Sequence, residues 1–442
     1  MNIKTDNDIL LTSKSYIEVC GYKSFYKEQG IEFRPFTVLS GANSSGKSSI
    51  IQPLLLLKQT LESTYDRGTL CLDGQHVFYT SFEQLLSKKT PKGYKNKFSI
   101  LFTDSAGKTL KVIYKKTDKE IDIDEMIFSD LNTGIQSVFR EDMSSDEVIK
   151  NLHDKNSGRD YDYFSKEAKV KWTVKKNRCF LYYELESEGN INLRKSLRFF
   201  SVTHLLEKQI LEIIHLPGLR GNPERTYKTT SIGPNFPGPF QHYVASIINH
   251  WQSIKDERFD ELSKYLETMG LTWKIEAKQL DDTRVELLVG RLTNSEGKAK
   301  DLVNIADVGI GVSQILPVLV SLLIAGEGQI VYIEQPELHL HPRAQVSLAQ
   351  IIADAAKRGV CVVIETHSPL LLLGIQTLVA EKKVSPDLVK LHWFTREKDG
   401  YTKINSVELD EKGAYGDWPE DFGDISLKLE SRYLDAAEDW GI

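Results

Sequence analysis

The chain has 442 residues, of which 40% are hydrophobic and 27% are charged, an ordinary composition for a globular protein that can bury a large core. The formal net charge is −6, and residues 410–442 carry ten acidic and three basic side chains, so the rest of the chain is near +1. This balance excludes a strong overall field that would attract nucleic acid.

Cysteine spacing and hydropathy set the expected compartment. The four cysteines lie far apart without a CxxC pair, which argues against a disulfide framework or a zinc knuckle and favours a reducing cytoplasm. The N-terminus begins with polar residues and shows no apolar signal segment. The longest apolar run, residues 315–325, has about half the length that spans a bilayer. We therefore expect a soluble, cytoplasmic protein with no membrane partner.

A glycine- and serine-rich loop gives the first strong signal. After predicted strands at 16–20 and 31–33, residues 41–48 read GANSSGKS, a full match to GxxxxGK[ST] between a strand at 36–39 and a helical run at 50–57. In that setting backbone N–H groups point at phosphate oxygens, Lys47 reaches the β and γ phosphates of ATP, and Ser48 binds Mg²⁺. The predicted nucleotide-binding residues of the loop are Gly41, Asn43, Ser44, Ser45, Gly46, Lys47, Ser48 and Ser49.

Two further patterns divide the rest of the chain. Between about 60 and 290, segments such as 111–115, 170–174 and 179–183 alternate with period two, which predicts half-exposed antiparallel strands. From 305 onward, helices at 312–325 and 342–357 alternate with hydrophobic strands at 329–333 and 360–364, which predicts a parallel sheet. The simplest architecture is an α/β nucleotide-binding domain split by an insertion of roughly 230 residues.

The helix at 312–325 follows a glycine pair in the segment DVGIGVSQ, residues 307–314. Gly309 and Gly311 would let the backbone approach a phosphate closely, and the helix start near Ser313 would supply N–H donors. An ordinary glycine turn has the same pattern. Context is therefore needed to choose between the two interpretations.

Polar clusters end two of the predicted parallel strands. QIVYIEQPE at 329–337 presents Glu334, Gln335 and Glu337, and VCVVIETHSP at 360–369 presents His367. Ligands of parallel sheets bind beyond the carboxyl ends of the strands, where one carboxylate can hold the Mg²⁺ shell and a neighbour can orient the attacking water. We predict that these four residues are catalytic, that His367 reaches the γ phosphate, and that Ser48 and Glu334 are the metal ligands.

The order of these motifs is similar to that of the ABC-type ATPase heads of SMC, RecF and OLD proteins. The resemblance covers about 16–60 and 303–375, with GYKSF at 21–25 as the opening turn. Three shorter segments, LPGLRGNPERTY at 216–227, EQPELHLHP at 334–342 and DWPE at 417–420, look more narrowly like the stand-alone OLD-like ATPases of anti-phage systems such as PARIS and Septu.

This resemblance implies an α/β P-loop NTPase fold, an ABC-type head with a long α+β insertion between Walker A and the signature. Lys47 and Ser48 would be Walker A, Gly309 and Gly311 the signature, Glu334 Walker B and His367 the switch histidine. The expected regions are an N-terminal lobe at 1–60, an insertion at 61–300, a C-terminal lobe at 301–395 and an acidic extension at 396–442.

The resemblance also implies partners. A signature helix far from its own P-loop can complete a phosphate site only in a second subunit, so we expect a homodimer that sandwiches two ATP molecules. No Toprim or HNH constellation is evident in the sequence, so the toxic effector of a defence ATPase, such as a nuclease, would be encoded separately. A RecF-like DNA-repair ATPase and a P-loop kinase remain the alternatives, and nucleic-acid binding stays open.

The sequence departs from the family pattern at Gln335. ABC heads usually carry Asp-Glu where this chain has Glu334-Gln335, and a neutral amide cannot act as a base. Either Glu337 substitutes or hydrolysis is slow, and we favour slow hydrolysis. The glutamine of the Q-loop is not evident, with Gln75 and Gln84 as candidates.

Three weaker features keep two interpretations each. The basic residues around Trp172 could contact nucleic acid or form the solvated face of a strand pair; they are Lys169, Lys171, Lys175, Lys176 and Arg178. The set Glu337, His339 and His341 could bind a metal or belong to the loop after Walker B. Arg220 and Arg225 could bind phosphate or brace the insertion against the head.

Overall fold

The computed structural model describes residues 15–89, 91, 93–118, 120–153, 170–187, 203–291, 301–416 and 424–438. Its strands are β1 (Tyr16–Cys20), β2 (Gln29–Glu32), β3 (Phe36–Gly41), β4 (Lys97–Thr103), β5 (Lys108–Lys116), β6 (Ile121–Asp130), β7 (Ile135–Phe139), β8 (Val170–Asn177), β9 (Phe180–Ser187), β10 (Ile214–Leu216), β11 (Tyr227–Lys228), β12 (Ile275–Asp281), β13 (Arg284–Gly290), β14 (Leu302–Asn304), β15 (Ile330–Glu334), β16 (Cys361–Glu365), β17 (Val389–Arg396) and β18 (Thr402–Val407). Its helices are α1 (Lys47–Glu62), α2 (Ser145–His153), α3 (His204–Glu212), α4 (Val244–Ile254), α5 (Glu257–Thr268), α6 (Ile310–Ile324), α7 (Pro342–Lys357), α8 (Pro369–Ala380) and α9 (Asp424–Glu438).

The central sheet has the strand order β10-β15-β16-β3-β17-β18, in which only the β17–β18 pairing is antiparallel. In register, Glu334 pairs with Glu365, and Glu365 pairs with Leu39 beside the P-loop. Because the strands are parallel, their carboxyl ends share one edge. Residues that are far apart in sequence therefore meet at this edge, close to the start of α1.

Alternate side chains of the sheet face two separate cores, as a strand buried on both faces requires. Val38 and Ile333 belong to one core, which also contains buried residues of α4, α6, α7 and α8. Leu39 and Tyr332 belong to the other, with buried residues of α1 and α3. The strands β3, β15 and β16 are therefore apolar along their length, because helices or a second sheet cover both of their faces.

A second, antiparallel sheet with the order β2-β1-β4-β5-β6-β7 packs in the same core as α1. Side chains of β5 alternate between buried and half-buried, as its period-two pattern predicts. The hairpin β8–β9 adds Trp172 and Phe180 to that core. A smaller sheet formed by β11, β12, β13 and β14 packs with α4 and α5 in the other core.

The predicted elements agree closely with this structure. The α/β fold with a P-loop between a buried strand and a helix is confirmed, and so are the antiparallel strands at 111–115, 170–174 and 179–183. The division into two lobes, an insertion and an extension stays a prediction. Within it, β10 from the 61–300 range pairs directly with β15 of the parallel sheet. Among the described residues, no helix combines the length and apolar character needed to cross a membrane.

Candidate functional site

The P-loop connects β3 to α1, and two glycines fix its path. Gly46 has φ of 105°, and a Cβ at this position would lie 2.5 Å from Thr402 Oγ1. Gly41 has φ of 142°, and a Cβ there would lie 2.3 Å from the carbonyl oxygen of Phe394. Only glycine therefore fits at either end of the loop. Ser44 is also left-handed, with φ of 61°.

Lys47, the first residue of α1, points back into the loop. Its Nζ donates to the carbonyl oxygens of Gly41 at 3.1 Å and Ala42 at 2.9 Å, and lies 3.9 Å from Glu365 Oε1. Burial lowers the pKa of Lys47, while Glu365 and Glu337 oppose this shift. The ammonium thus lies in the loop with one close carboxylate, where additional negative charge would stabilise it.

Glu365, at the end of β16, is a site residue that the sequence interpretation missed. Its Oε1 accepts from Ser48 Oγ at 3.1 Å, and its Oε2 accepts from Tyr332 OH at 3.0 Å. Burial is the main cause that raises the pKa of Glu365, and nearby Glu334 adds to the effect. The carboxylate in direct contact with Ser48 is therefore Glu365.

Glu334 ends β15 and has different partners. Its Oε1 lies 3.2 Å from His215 Nε2, and its Oε2 accepts from Gly218 N at 3.2 Å. Burial would raise the pKa of Glu334, but His215, the Gly218 amide and Arg220 together lower it. Glu334 is in register with Glu365. The pairing of Ser48 with Glu334 as metal ligands stays a prediction.

The remaining predicted catalytic residues gather beside these carboxylates. Glu337 Oε1 accepts from Thr366 Oγ1 at 2.7 Å and from His367 N at 3.0 Å, whereas its buried Oε2 has no hydrogen-bond partner within the described chain. Burial, and then Lys47, lower the pKa of His367, while a hydrogen bond with the Gly41 backbone opposes them. Gln335 has φ of 44° and donates its N–H to the Glu365 carbonyl at 2.7 Å.

A cavity of about 630 Å³ opens beside the P-loop. Ser44, Gly46, Lys47, Ser48 and Ser49 line it together with Glu365. The other lining residues were not among the predicted nucleotide-binding residues, although Gln84 was a Q-loop candidate and Lys23 and Ser24 belong to the GYKSF segment. They are Lys23, Ser24, Gln52, Glu83, Gln84, Leu86, Lys88, Arg396, Asp399, Gly400 and Tyr401. Of the two Q-loop candidates, Gln84 borders this cavity, whereas Gln75 approaches Gly238.

The segment with the glycine pair lies elsewhere. Gly309 precedes α6, and Ser313 Oγ donates to the Ile310 carbonyl at 2.9 Å. Ser313 lines a second cavity of about 230 Å³. Within the part of the chain that the structure describes, neither Gly309, Gly311 nor Ser313 lines the P-loop cavity. In a single copy, this segment therefore lies outside the described lining of the P-loop cavity.

The β17–β18 hairpin holds the P-loop from the opposite side. Thr402 Oγ1 lies 2.6 Å from the Ser45 carbonyl oxygen and 2.7 Å from Ser24 Oγ. A hydroxyl has one hydrogen, so Thr402 donates to the carbonyl and accepts from Ser24. The same hairpin contributes Arg396 and Tyr401 to the cavity wall. Residues after position 395 therefore form part of the candidate site.

Arg220 braces the loop that follows β15. Its guanidinium donates to the carbonyl oxygens of Glu334 at 2.7 Å and Gln335 at 3.3 Å, and burial lowers its pKa to about 10. Gln314 Nε2 donates to the Gly221 carbonyl at 2.6 Å, which ties α6 to the loop that follows β10 and contains Arg220. Arg225 pairs with Asp307 at 2.6 Å. Both arginines have the partners of structural braces.

Three of the basic residues near Trp172 have partners within the protein. Trp172 is 4% exposed, so it is not available as a stacking platform. Lys175 pairs with Glu186 at 2.7 Å, Lys176 pairs with Asp122 at 3.0 Å, and Arg178 donates to carbonyls at the end of α1. Lys169 and the 417–420 segment lie outside the described residues.

The metal alternative for the loop after β15 has little geometric support. Glu337 is held by Thr366 and His367, as described above, and His341 Nδ1 accepts from Arg343 N at 3.3 Å to cap α7. His339 adopts φ of 65°. Glu337 and His341 thus serve different local structures.

A buried parallel sheet, a P-loop opening α1 and carboxylates at the neighbouring strand ends define an α/β P-loop NTPase. The chain belongs to the family described as "AAA domain, putative AbiEii toxin, Type IV TA system", which matches residues 36–373. This is an ATP-binding ATPase family, so the recognition of a P-loop ATPase is confirmed. The narrower likeness to OLD-like anti-phage ATPases stays a prediction. No curated protein matches the chain.

Solved structures of SMC heads are similar over most of the chain. A SmcHead bound to the C-winged helix domain of ScpA is 13% identical, with 90% of this chain and 98% of that chain covered and a TM-score of 0.41. The SMC head of Thermotoga maritima is 11% identical, with coverage of 90% and 99% and a TM-score of 0.35. A Smc head with an extended coiled coil, bound to the C-terminal domain of ScpA derived from Pyrococcus furiosus, is 12% identical, with coverage of 96% and 99% and a TM-score of 0.39. The fold assignment rests on the sheet order and the family match.

We expect Thr402→Val to weaken ATP binding about tenfold, since it removes the hydroxyl that holds the Ser45 carbonyl and leaves that oxygen unpaired. Isothermal titration with Mg-ATP measures the change. Thr395→Val on the same hairpin is the control, because its hydroxyl makes only an exposed 3.4 Å contact. Equal affinity in Thr402→Val and wild type would show that the hairpin does not support the loop.

Proposed function

We propose that this chain binds Mg-ATP beside its P-loop, hydrolyses it slowly, and works as a two-copy nucleotide switch that controls a separately encoded effector in anti-phage defence. The convergence of Lys47, Ser48 and Glu365 at the carboxyl edge of the parallel sheet carries the proposal. Phosphates bound by the loop would meet backbone N–H groups at the start of α1 and the Lys47 ammonium.

The side chains around Ser48 suit a magnesium ion. A hydroxyl and two carboxylates, those of Glu365 and Glu334, are hard oxygen donors of the kind that Mg²⁺ prefers, often through retained waters. Ser48 would hold the ion together with one or both carboxylates. When bound, Mg²⁺ neutralises charge on the phosphates. The opposite pKa directions of the two carboxylates favour Glu334 as the one that is ionised before metal binds.

Slow hydrolysis follows from the residue after Glu334. Gln335 has an amide at the position where a carboxylate would polarise the attacking water. Glu337 is the candidate substitute, since its Oε2 is unpaired among the described residues while Thr366 and His367 hold Oε1. An ATP-bound state that persists suits a switch better than a motor.

Gln335→Glu should raise the steady-state ATPase rate about tenfold or more, because a positioned general base contributes on the order of 10²–10⁴-fold. A phosphate-release assay on the purified protein measures the rate. Glu337→Gln is the companion variant: it should change the wild-type rate little if hydrolysis is slow for lack of a base. An unchanged or lower rate in Gln335→Glu would contradict the proposal.

The two-copy arrangement is supported by the position of the glycine segment. Gly309 and Ile310 are exposed at the start of α6, outside the P-loop cavity. Backbone N–H groups at a helix start attract anions, so this segment suits the γ phosphate of ATP bound to a second copy. Each copy would thus complete the site of the other, as a two-fold dimer allows.

We expect Gly309→Asp to bind ATP normally but to lose ATP-dependent dimerisation, because a carboxylate there would repel the γ phosphate. A Cβ at Gly309 meets no atom within 4 Å, so the fold should tolerate the change, whereas a Cβ at Gly311 would lie 3.3 Å from the His339 carbonyl oxygen. Gly326→Asp is the matched control, since it also faces open space and lies after the other end of α6.

Size-exclusion chromatography with light scattering, with and without Mg-ATP, reads out the oligomeric state of these variants. The proposal expects wild type and Gly326→Asp to dimerise with ATP while Gly309→Asp stays monomeric. Dimerisation of Gly309→Asp at the wild-type ATP concentration would sink the assignment of this segment.

The defence role is supported by the family description, which names a toxin and a type IV TA system. Such systems pair two gene products, which agrees with an effector on another chain. A RecF-like role in DNA repair would need a free basic surface. The ion pairs of Lys175 and Lys176 give it no specific support.

Co-purification with the product of the adjacent gene, with and without ATP, tests the defence role. We expect a stable complex whose amount changes severalfold when ATP is added or when Lys47→Ala removes the phosphate contact. The contrary result is no complex in either state together with ATP-dependent binding to duplex DNA that weakens steeply with salt.

A further inference from the structure

A network of buried polar contacts runs from the last turns of α1 to Glu334. Lys58 Nζ lies 2.7 Å from Glu62 Oε1, and Glu62 Oε2 lies 3.1 Å from His76 Nε2. His76 Nδ1 lies 3.2 Å from His215 Nδ1, and His215 Nε2 lies 3.2 Å from Glu334 Oε1. This network of contacts thus joins α1, the helix that follows the P-loop, to the carboxylate that ends β15.

The side chains of this network are largely shielded from solvent. The side chains of Lys58 and His76 are each 1% exposed, that of His215 is 3% exposed and that of Glu62 is 10% exposed. The Gly238 N–H also donates to Glu62 Oε2 at 3.2 Å. Because little water is present to replace a lost partner, each polar group must find its hydrogen-bond partner within the network.

The two histidine rings depend on each other for their orientation. His215 Nε2 faces a carboxylate oxygen of Glu334, so it is placed to donate a hydrogen bond to that oxygen. His215 Nδ1 faces His76 Nδ1 across the gap between the two rings. His76 Nε2 faces Glu62 Oε2, which fixes the orientation of the His76 ring.

His215 also contacts one of two neighbouring carboxylates. Glu334 and Glu365 end adjacent strands in register, and Glu334 disfavours the ionised form of Glu365. His215 Nε2 and Gly218 N contact the two oxygens of Glu334, whereas Ser48 contacts Glu365. Without the imidazole, Glu334 would lose a donor and its fixed orientation.

We propose that His215 is a positioning residue for Glu334, and that His76 and Glu62 hold the His215 ring in the orientation in which its Nε2 faces that carboxylate. The inference rests on the proposed ATPase function and extends it. It gives residues 62–76 and β10, both within or next to the long insertion, a direct role in holding the catalytic edge of the sheet. Outer partners of this kind typically change activity about 10-fold to 100-fold when removed.

His215→Phe tests the proposal, because phenylalanine keeps the ring stacked on Tyr332 but removes both nitrogens. We expect kcat for ATP to fall at least about tenfold while KM changes less than about twofold. His215→Gln should restore most of kcat, since its amide can still donate to Glu334. A purely structural role would not separate kcat from KM or be rescued by glutamine.

His392→Phe is the matched control for loss of a buried histidine. The His392 ring contacts Ser406 Oγ at 2.7 Å and the Glu32 carbonyl at 2.8 Å. The His392→Phe substitution should lower the urea midpoint of unfolding and leave kcat of the folded protein unchanged. His76→Phe is the second variant in case His215→Phe does not fold, and it should lower kcat about threefold by removing the ring nitrogens that contact His215 and Glu62.

The outcomes separate the two proposals. If the wild-type protein hydrolyses ATP and kcat is unchanged in His215→Phe and His76→Phe, the positioning role is overturned and the ATPase proposal stands. A wild-type protein that neither binds nor hydrolyses Mg-ATP would overturn both. A kcat loss shared equally by His392→Phe would also overturn the positioning role, because the effect would then be one of stability.

Discussion

The hydrogen bond from Ser48 to Glu365 is the contact on which the site depends. It joins the first turn of α1 to the end of β16, and it exists because β16 lies between β3 and β15 in the sheet. Lys47 lies in the same place, held by two loop carbonyls and the same carboxylate. Burial disfavours the charged forms of both Lys47 and Glu365, and a bound anion beside Lys47 and a bound cation beside Glu365 would each favour the charged form.

Residues of the predicted insertion form part of this site. β10 extends the parallel sheet, its His215 contacts Glu334, and Arg220 in the following loop donates to the carbonyls of Glu334 and Gln335. The β17–β18 hairpin reaches the P-loop from the opposite side through Thr402. A change in the insertion or in the hairpin can therefore reach the nucleotide edge through a few short, buried contacts.

Local patterns predicted the P-loop and the buried strands well, because glycine spacing and hydrophobic period depend on neighbours in sequence. Glu365 was missed because its contact with Ser48 depends on strand order, which joins residues 317 positions apart. The same reason hides His215 and His76, whose partners lie in other elements. Gln84 could be separated from Gln75 only by its position at the cavity. The sequence alone did not show whether Arg220 binds phosphate or braces the fold, because the burial of its side chain decides between these two roles.

A crystal structure with Mg²⁺ and a non-hydrolysable ATP analogue tests the central claim most directly. The account predicts a triphosphate whose β and γ phosphates contact Lys47 and Ser48 of one copy, with residues 309–313 of a second copy closing over the γ phosphate. A triphosphate fully enclosed by a single copy, with Ser313 directed elsewhere in both, would contradict it.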